Sequence, residues 1–297
     1  MIVITTPTGN IGHHVVQHLL DAGEALRVVA RDPAKLPQVV RDRVEVVEGS
    51  HGNAAVVTRA FDGAEAVFWL APPTASSATP EAATIDFARP AAEAIRRHGV
   101  ARVVAVTTLG RGTAWQDRAG NVTGSIRMVN LLRDTGAAVR GLALPAFMDN
   151  ALQQVDAIRQ GRMFGPIDPD KKLPHTATRD SGVAAARLLQ DRSWTGQEDV
   201  PVLGPEDLSY SDLAAIISQV FGREVRYQQV PFDGFKAQLR ERGMTEAFAQ
   251  GYVDMLRSKN EGMDNAAPRA SAIIGSTSFR QWAEEELKPA VLGRKLA

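Results

Sequence analysis

The feature that most limits what this chain can fold into is its first dozen residues. Ile2-Val3-Ile4-Thr5 is a short apolar run rich in β-branched residues, the composition of a buried strand. Thr6-Pro7-Thr8-Gly9 then turns the chain. Ile11, Val15, Val16, Leu19 and Leu20 follow at helical spacing on one face, with Asn10 placed as the N-cap. Strand, glycine turn and helix in direct succession aim backbone N–H groups at a phosphate. Gly9 would let the main chain approach a pyrophosphate, and Gly12 would let the helix lie close to the strand. Thr6, Thr8, Asn10 and Ile11 complete the candidate cradle, although Thr6 stands where dinucleotide turns usually carry a glycine. The competing reading is a purely structural turn. The strand and helix units farther along the chain favour the nucleotide.

The same rhythm repeats. Further strands are expected at 25–30, 44–47, 66–70, 103–106 and 139–144, with helices at 53–61, 80–98 and 123–133. The strands close on Arg31-Asp32-Pro33, Glu48-Gly49-Ser50-His51, Ala71-Pro72-Pro73, Thr107-Thr108 and Pro145. Strands alternating with helices through short links imply an α/β fold, a Rossmann-type doubly wound parallel sheet over residues 1–150. Beyond Pro145 the rhythm breaks, and residues 151–297 read as a smaller mixed α/β C-terminal lobe covering the substrate. Helices are expected at 147–160, 180–189, 209–221 and 279–287, and between 231 and 259, with strands at 200–203 and 225–230. The stretches 161–174 and 260–276 read as turns and loop. The helix at 180–189 is the element expected to return to the first domain.

Composition removes several classes of function. Lys and Arg number 34 against 34 Asp and Glu, so no electrostatic case exists for direct nucleic-acid binding or for an anionic membrane. With no cysteine, thiol nucleophiles, disulfides and zinc–thiolate sites are excluded. No apolar run approaches the roughly 20 residues of a membrane helix, and the first residues lack the basic start of a signal peptide. A cytoplasmic location is the expectation. No Gly-x-Ser-x-Gly elbow and no Walker loop is present.

Taken in order, these segments resemble the NmrA-like branch of the atypical short-chain dehydrogenases/reductases. Thr8-Gly9-Asn10-Ile11-Gly12 is similar to the end of its glycine motif, and Arg31-Asp32-Pro33-Ala34-Lys35-Leu36 to its second-strand ending. Ala66-Val67-Phe68-Trp69-Leu70-Ala71-Pro72-Pro73 resembles its fourth strand, and Leu142-Ala143-Leu144-Pro145-Ala146-Phe147-Met148-Asp149-Asn150 its sixth strand with the helix-bound segment after it. Tyr210-Ser211-Asp212-Leu213 and Gly222-Arg223-Glu224-Val225 resemble pieces of its C-terminal lobe. The resemblance covers nearly the whole chain and implies an NAD(P)H-dependent quinone reductase or a redox-sensing regulator. The chain departs from the pattern at Thr6, at Ser50, where an acidic residue often follows the third strand, and at Arg127 and Asn130, where lysine and acidic residues are common.

Arg31 falls where the second strand delivers a side chain to the adenine ribose, and an arginine there suits a 2′-phosphate. Lys35 adds a second positive charge. Asp32 is the opposing feature, because a ribose hydroxyl acceptor for NAD would stand there. NADP(H) is favoured over NAD(H), with a solvated Arg-Asp-Pro turn as the plainer alternative.

Short-chain reductases usually pair a tyrosine with a lysine four residues on, the lysine lowering the tyrosine pKa. Tyr210, Tyr227 and Tyr252 are followed at that spacing by Ala214, Pro231 and Leu256, so the pair does not exist here. A quinone accepts hydride without it, since water can protonate the hydroquinone anion, and the protein has mainly to place the nicotinamide beside a flat ring. Leu70, Ala71, Pro72, Thr107, Pro145, Ala146 and Phe147 are the candidates on that side. Thr108 is a candidate to hydrogen-bond the carboxamide or a substrate oxygen, against a hydroxyl simply bonded to backbone. His175 is the candidate titrating group near substrate, with a pKa suited to proton donation near pH 7. His51 reads as a solvated loop histidine or an adenine neighbour. His14 and His18 lie four apart on a helix but lack further ligands at suitable spacing, so no metal is expected. The loop 110–121, with Trp115, is a candidate lid. The expected partner is a small aromatic or quinone substrate, and a homodimer is compatible with the chain. The readings are a reductase of flat aromatics, a non-catalytic nucleotide sensor acting through a partner protein, and a tailoring enzyme for a polycyclic aromatic metabolite.

Overall fold

The computed structural model describes residues 1–72 and 77–293; Pro73 of the fourth-strand segment lies outside the described residues. The strands are β1 Ile2–Ile4, β2 Leu26–Ala30, β3 Glu45–Glu48, β4 Ala66–Trp69, β5 Arg102–Thr108, β6 Ala138–Leu144, β7 Ala146–Phe147, β8 Arg162–Gly165, β9 Leu173–Thr176, β10 Gln197–Leu203, β11 Asp207–Leu208, β12 Arg226–Gln229 and β13 Ile273–Ile274. The helices are α1 Gly12–Asp21, α2 Gln38–Arg41, α3 Ala54–Ala60, α4 Phe87–His98, α5 Asn121–Arg133, α6 Val155–Arg159, α7 Thr178–Gln190, α8 Tyr210–Phe221, α9 Phe232–Glu241, α10 Glu246–Asn260, α11 Phe279–Trp282 and α12 Lys288–Val291. The chain divides into two compact units. One comprises Met1–Thr108, Gly124–Ala143 and Ser181–Val200; the other comprises Leu109–Thr123, Leu144–Asp180 and Pro201–Ala297. Both α7 and β10 run across the division.

The large sheet has eight strands in the order β13-β10-β6-β5-β4-β1-β2-β3. β1 lies parallel to both β2 and β4, with Ile2 opposite Leu26 on one side and Ala66 on the other. The stretch from β3 to β6 has the strand order that dinucleotide folds share, and it puts the topological switch point between β1 and β4. Strands buried on both faces read as continuous apolar runs, which is why this unit is visible in the sequence. Val3, Val67, Trp69, Val103 and Ala105 of the sheet pack with Ala88, Ala91 and Ile95 of α4 and Met128, Val129 and Leu132 of α5. Each large side chain sealed in this way contributes roughly 1.5–3 kcal/mol.

Two details of this unit differ from the sequence expectation. Asn10 is not the N-cap: α1 starts at Gly12, Ile11 holds the cap position without a side-chain cap bond, and Asn10 is exposed in the turn. The turn is closed instead by the Gly9 carbonyl, which takes the backbone N–H of His13 at 3.0 Å and its Nδ1 at 2.8 Å. The single helix expected at 80–98 contains a π turn over Ala82–Asp86 before α4. Pro90 has no N–H to offer the Asp86 carbonyl, and the wider turn falls where that bond is missing.

The second unit departs further. The expected helix 147–160 is instead β7, a 3-10 segment over Met148–Gln154, and the short α6. Phe147 is drawn into strand pairing opposite Thr176 of β9, and Asp149 spends its carboxylate on the N–H and hydroxyl of Thr178 at the start of α7. The expected turns at 161–174 contain β8, which pairs in parallel with the distant β12. The expected loop at 260–276 contains two 3-10 turns and β13, parallel to the end of β10. Such short strands are fixed by partners remote in sequence, so local pattern does not show them. The amphipathic helix α8 is as expected, closed by a capping box between Ser209 and Asp212. Ile217 packs with Ile158, Met163, Phe279, Trp282 and Leu287 in this unit's own core.

Candidate functional site

At the carboxyl ends of β1 and β4, Thr5 joins the two strands. Its hydroxyl donates to the Phe68 carbonyl at 3.0 Å and accepts the Leu70 N–H at 3.3 Å. The turn after β1 is built on close backbone approach. A Cβ on Gly12 would lie 1.7 Å from the Thr6 carbonyl oxygen, so no side chain can be placed there without moving the helix off the turn. A Cβ on Gly9 would meet the same oxygen at 3.4 Å, ordinary contact. Thr6, in the leading glycine's place, has a buried hydroxyl with no partner among the described residues. Ile11 is in the core at 4% exposure and offers only main chain, whereas Thr8 and Asn10 are exposed. The N–H groups of a helix's first turn have no intrahelical acceptors; here the Gly9 carbonyl takes that of His13, and no cap side chain covers the start of the helix. A glycine-only approach, a helix start without a side-chain cap and an unpaired hydroxyl together fit a bound pyrophosphate.

At the end of β2, Arg31 and Lys35 are exposed. Asp32 is committed to its own backbone: its Oδ1 accepts the Ala34 N–H at 3.0 Å and caps the 3-10 turn Pro33–Lys35. His51 is not the solvated loop residue of the sequence reading; it is 6% exposed. Its Nε2 donates to the Leu70 carbonyl at 3.0 Å, and its ring meets Trp69 and Phe87 edge-on. Loss of water, with the nearby Arg31 charge adding to it, lowers its pKa to about 4. His51 therefore holds the end of β4 in a neutral form.

Leu70, Ala71 and Pro72 are half-buried just past β4. At the end of β5, Thr107 is buried and its hydroxyl accepts that of Ser125 on α5 at 3.3 Å. The Thr108 hydroxyl is buried with no partner among the described residues, so the plain reading of a strand-ending hydroxyl bonded to backbone does not hold. Neither Ser125 nor His13 stands out in the sequence: a lone serine on a helix and one histidine among three carry no local signal.

In the second unit, Pro145 is buried and Phe147 half-buried. His175 is 3% exposed on β9. Its Nδ1 donates to the Leu173 carbonyl at 3.0 Å, and its Nε2 is buried without a partner among the described residues. Burial, with the positive charge of Lys259 adding to it, lowers its pKa to about 4. The expectation of a titration near pH 7 is therefore overturned by desolvation: His175 is neutral there, and its bare Nε2 can accept but not donate. Tyr210 lies edge-on to it, and burial pushes the phenol pKa well up, the reverse of an activated acid. The 110–121 loop is tied down within this unit. Trp115 Nε1 donates to Glu261 at 2.7 Å, and a Cβ on Gly120 would collide with the Gly251 backbone at 2.1 Å. Among the described residues no group of three or more His, Asp or Glu side chains is placed to hold a metal, and no helix is long and apolar enough to cross a membrane.

Comparison with known proteins adds the chemistry. Residues 7–144 match the NAD(P)H-binding family. A (4-alkanoyl-5-oxo-2,5-dihydrofuran-3-yl)methyl phosphate reductase of Streptomyces griseus is 27% identical over 291 residues, 96% of this chain and 97% of that one. Quinone oxidoreductase 2 of Escherichia coli is 25% identical over 264 residues, 88% and 87% of the two chains. The NADPH complex of that oxidoreductase has a TM-score of 0.78, at 23% identity over 95% of this chain and 98% of the other. NmrA, a negative transcriptional regulator, in complex with NADP has a TM-score of 0.69, at 17% identity over 98% and 97%.

Proposed function

We propose that this chain, whose residues 7–144 match the NAD(P)H-binding family and whose segments resemble the NmrA-like group of atypical short-chain dehydrogenases/reductases, reduces a quinone or similar flat aromatic electrophile with NADPH. The observation that carries this reading is the turn after β1, where Gly12 lies against the Thr6 carbonyl and the unpaired Thr6 hydroxyl stands beside the uncapped start of α1. In this reading Thr8, Asn10, Ile11 and Gly12 present main-chain N–H groups to the pyrophosphate, Thr6 adds its hydroxyl, and Gly9, whose own N–H closes the turn on the Thr6 carbonyl at 3.1 Å, lets the main chain come close. Arg31 and Lys35 take the 2′-phosphate. Asp32 supports that choice by being used as a cap. Leu70, Ala71, Pro72 and Thr107 face the nicotinamide, and the Thr108 hydroxyl takes the carboxamide or a substrate oxygen.

The bound nicotinamide supplies the hydride. The protein's part is to position and to keep water from the reacting ring, which suits a chain with no Tyr–Lys pair and a neutral His175. Two named relatives are reductases, one a quinone oxidoreductase and the other a (4-alkanoyl-5-oxo-2,5-dihydrofuran-3-yl)methyl phosphate reductase, and the first supports the quinone reading. Purified protein given NADPH and a panel of quinones should bleach the reduced-nicotinamide absorbance. Absence of turnover with every acceptor contradicts the reductase. A second reading, a nucleotide sensor, is favoured by the threonine at the leading glycine's place; it predicts NADPH binding without turnover and a partner protein whose capture depends on the cofactor.

A further inference from the structure

We infer that His13 is a positioning residue for the cofactor: it fixes the peptide between Gly9 and Asn10 so that the Asn10 N–H faces the pyrophosphate. The Gly9 carbonyl accepts the main-chain N–H of His13 at 3.0 Å and also its Nδ1 at 2.8 Å. A carbonyl oxygen has two lone pairs, and here one residue fills both. Because that oxygen can only accept, Nδ1 carries a proton whether the ring is neutral or charged.

A trans peptide is planar, with its C=O and N–H pointing in opposite directions, and no peptide bond among the described residues is cis. The bond from the His13 N–H to Gly9 spans four residues, as in an α-helix, so the Gly9 carbonyl points along α1 toward its carboxyl end. The Asn10 N–H therefore points the other way, out of the amino end of α1 beside those of Ile11 and Gly12. It has no acceptor among the described residues. An anion meets a helix from that side.

The glycine makes a second hold useful. A peptide turns over by rotation about the bonds flanking it, here ψ of Gly9 and φ of Asn10, and a residue without a Cβ opposes that rotation least. Turned over, the peptide would offer a carbonyl oxygen to the phosphates, repulsion in place of attraction. The main-chain bond lies in the first turn, where helices fray, and the Nδ1 bond reinforces it. The ring is itself backed. The His13 and His14 rings lie 3.8 Å apart, and α7 packs so closely on His14 that a Cβ on Gly182 would come 2.5 Å from the His14 Cβ. His13 is exposed, so its side chain does not serve the core. This role rests on the cofactor half of the proposed function, not on the substrate.

The test is calorimetric binding of NADPH to the unaltered protein, His13→Ala and His13→Asn, with the melting temperature of each. Asparagine branches to its Nδ2 at the same carbon from which histidine branches to Nδ1, so it can reach the Gly9 carbonyl. His13→Ala should weaken NADPH about threefold to tenfold, the size of one neutral hydrogen bond, and His13→Asn should stay within about twofold of the unaltered protein. Adenosine 2′-phosphate, which has no pyrophosphate, should displace NADPH with the same affinity of its own in all three. Unchanged NADPH affinity in His13→Ala, an equal loss in His13→Asn, or an equal loss for adenosine 2′-phosphate overturns the role. Should His13→Ala fail to fold, His13→Leu, which keeps bulk and lacks the donor, takes its place in the same comparison. No NADPH binding by the unaltered protein removes the cofactor reading and this role with it. The expected pattern without turnover of any quinone removes the reductase and leaves His13 in place.

Discussion

In the first unit, the polar groups gathered at the end of β1 are mostly main chain. Gly12 removes a Cβ that would sit 1.7 Å from the Thr6 carbonyl, and the start of α1 has no side-chain cap. In the second unit, the corresponding concentration of polar atoms is made of side chains: His175, Tyr210, Lys259 and Asp264, contributed by elements nearly ninety residues apart. A main-chain site tolerates most residues around it and is strict only where the backbone must come close. A side-chain site is strict at every member, because each buried group left unpaired costs about 1–3 kcal/mol.

The contrast breaks most easily at the glycines. Gly12→Ala should raise the NADPH dissociation constant more than about a hundredfold or prevent folding, since overpacking against backbone has no cheap relief. Gly9→Ala should change it by less than about threefold, its added methyl making only ordinary contact. Calorimetry on both variants reads the difference, and equal losses would mean that the turn is not a rigid element.

Acid is the next largest effect, and it acts on both units. His51 and His175 have folded pKa values of about 4, below the unfolded value of 6.5. The unfolded chain therefore binds more protons between those limits. Stability is fully present above pH 6.5 and falls as pH drops toward 4, by up to about 1.4 kcal/mol per pH unit for each histidine. Melting temperatures at pH 7.5 and 5.0 should differ by several degrees (roughly what such losses produce in a chain this size), and His51→Gln should narrow the gap. A gap unchanged in both His51→Gln and His175→Gln contradicts the burial account.

Smaller effects sharpen the main-chain half. Arg31→Ala should weaken NADPH about tenfold or more while leaving NADH within about twofold, as loss of a charge-assisted contact to one phosphate requires. Equal effects would remove Arg31 from 2′-phosphate recognition. Thr6→Val should weaken NADPH by about threefold to tenfold without lowering the melting temperature, because the hydroxyl it removes has no partner to lose within the described residues. A lower melting temperature with unchanged affinity would make Thr6 a structural residue.

The same contrast explains what can be read from the sequence. The doubly wound sheet announces itself through Ile2-Val3-Ile4, Val28-Val29-Ala30 and Val67-Phe68-Trp69, contiguous runs buried on both faces. Gly12 is legible because its neighbours within the turn explain it. Asp32 is not: whether its carboxylate meets a ribose or caps its own turn depends on the geometry of residues 33–35. The protonation of His51 and His175 is misjudged from sequence for one reason. Type and position in the chain suggest a pKa near neutrality, but burial sets it, and burial depends on Phe87 and Trp69 in one case and on Tyr210 in the other. Asp264 and Lys259 fall in or beside a stretch that reads as a loop, and nothing local marks a buried ion pair.

Titration calorimetry of the unaltered protein and Gly12→Ala with NADPH tests the central claim most directly. Saturable one-site heat in the first, lost in a folded sample of the second, is the outcome predicted for a pyrophosphate held by the turn after β1. No heat from NADPH with the unaltered protein, or unchanged binding in Gly12→Ala, would contradict it.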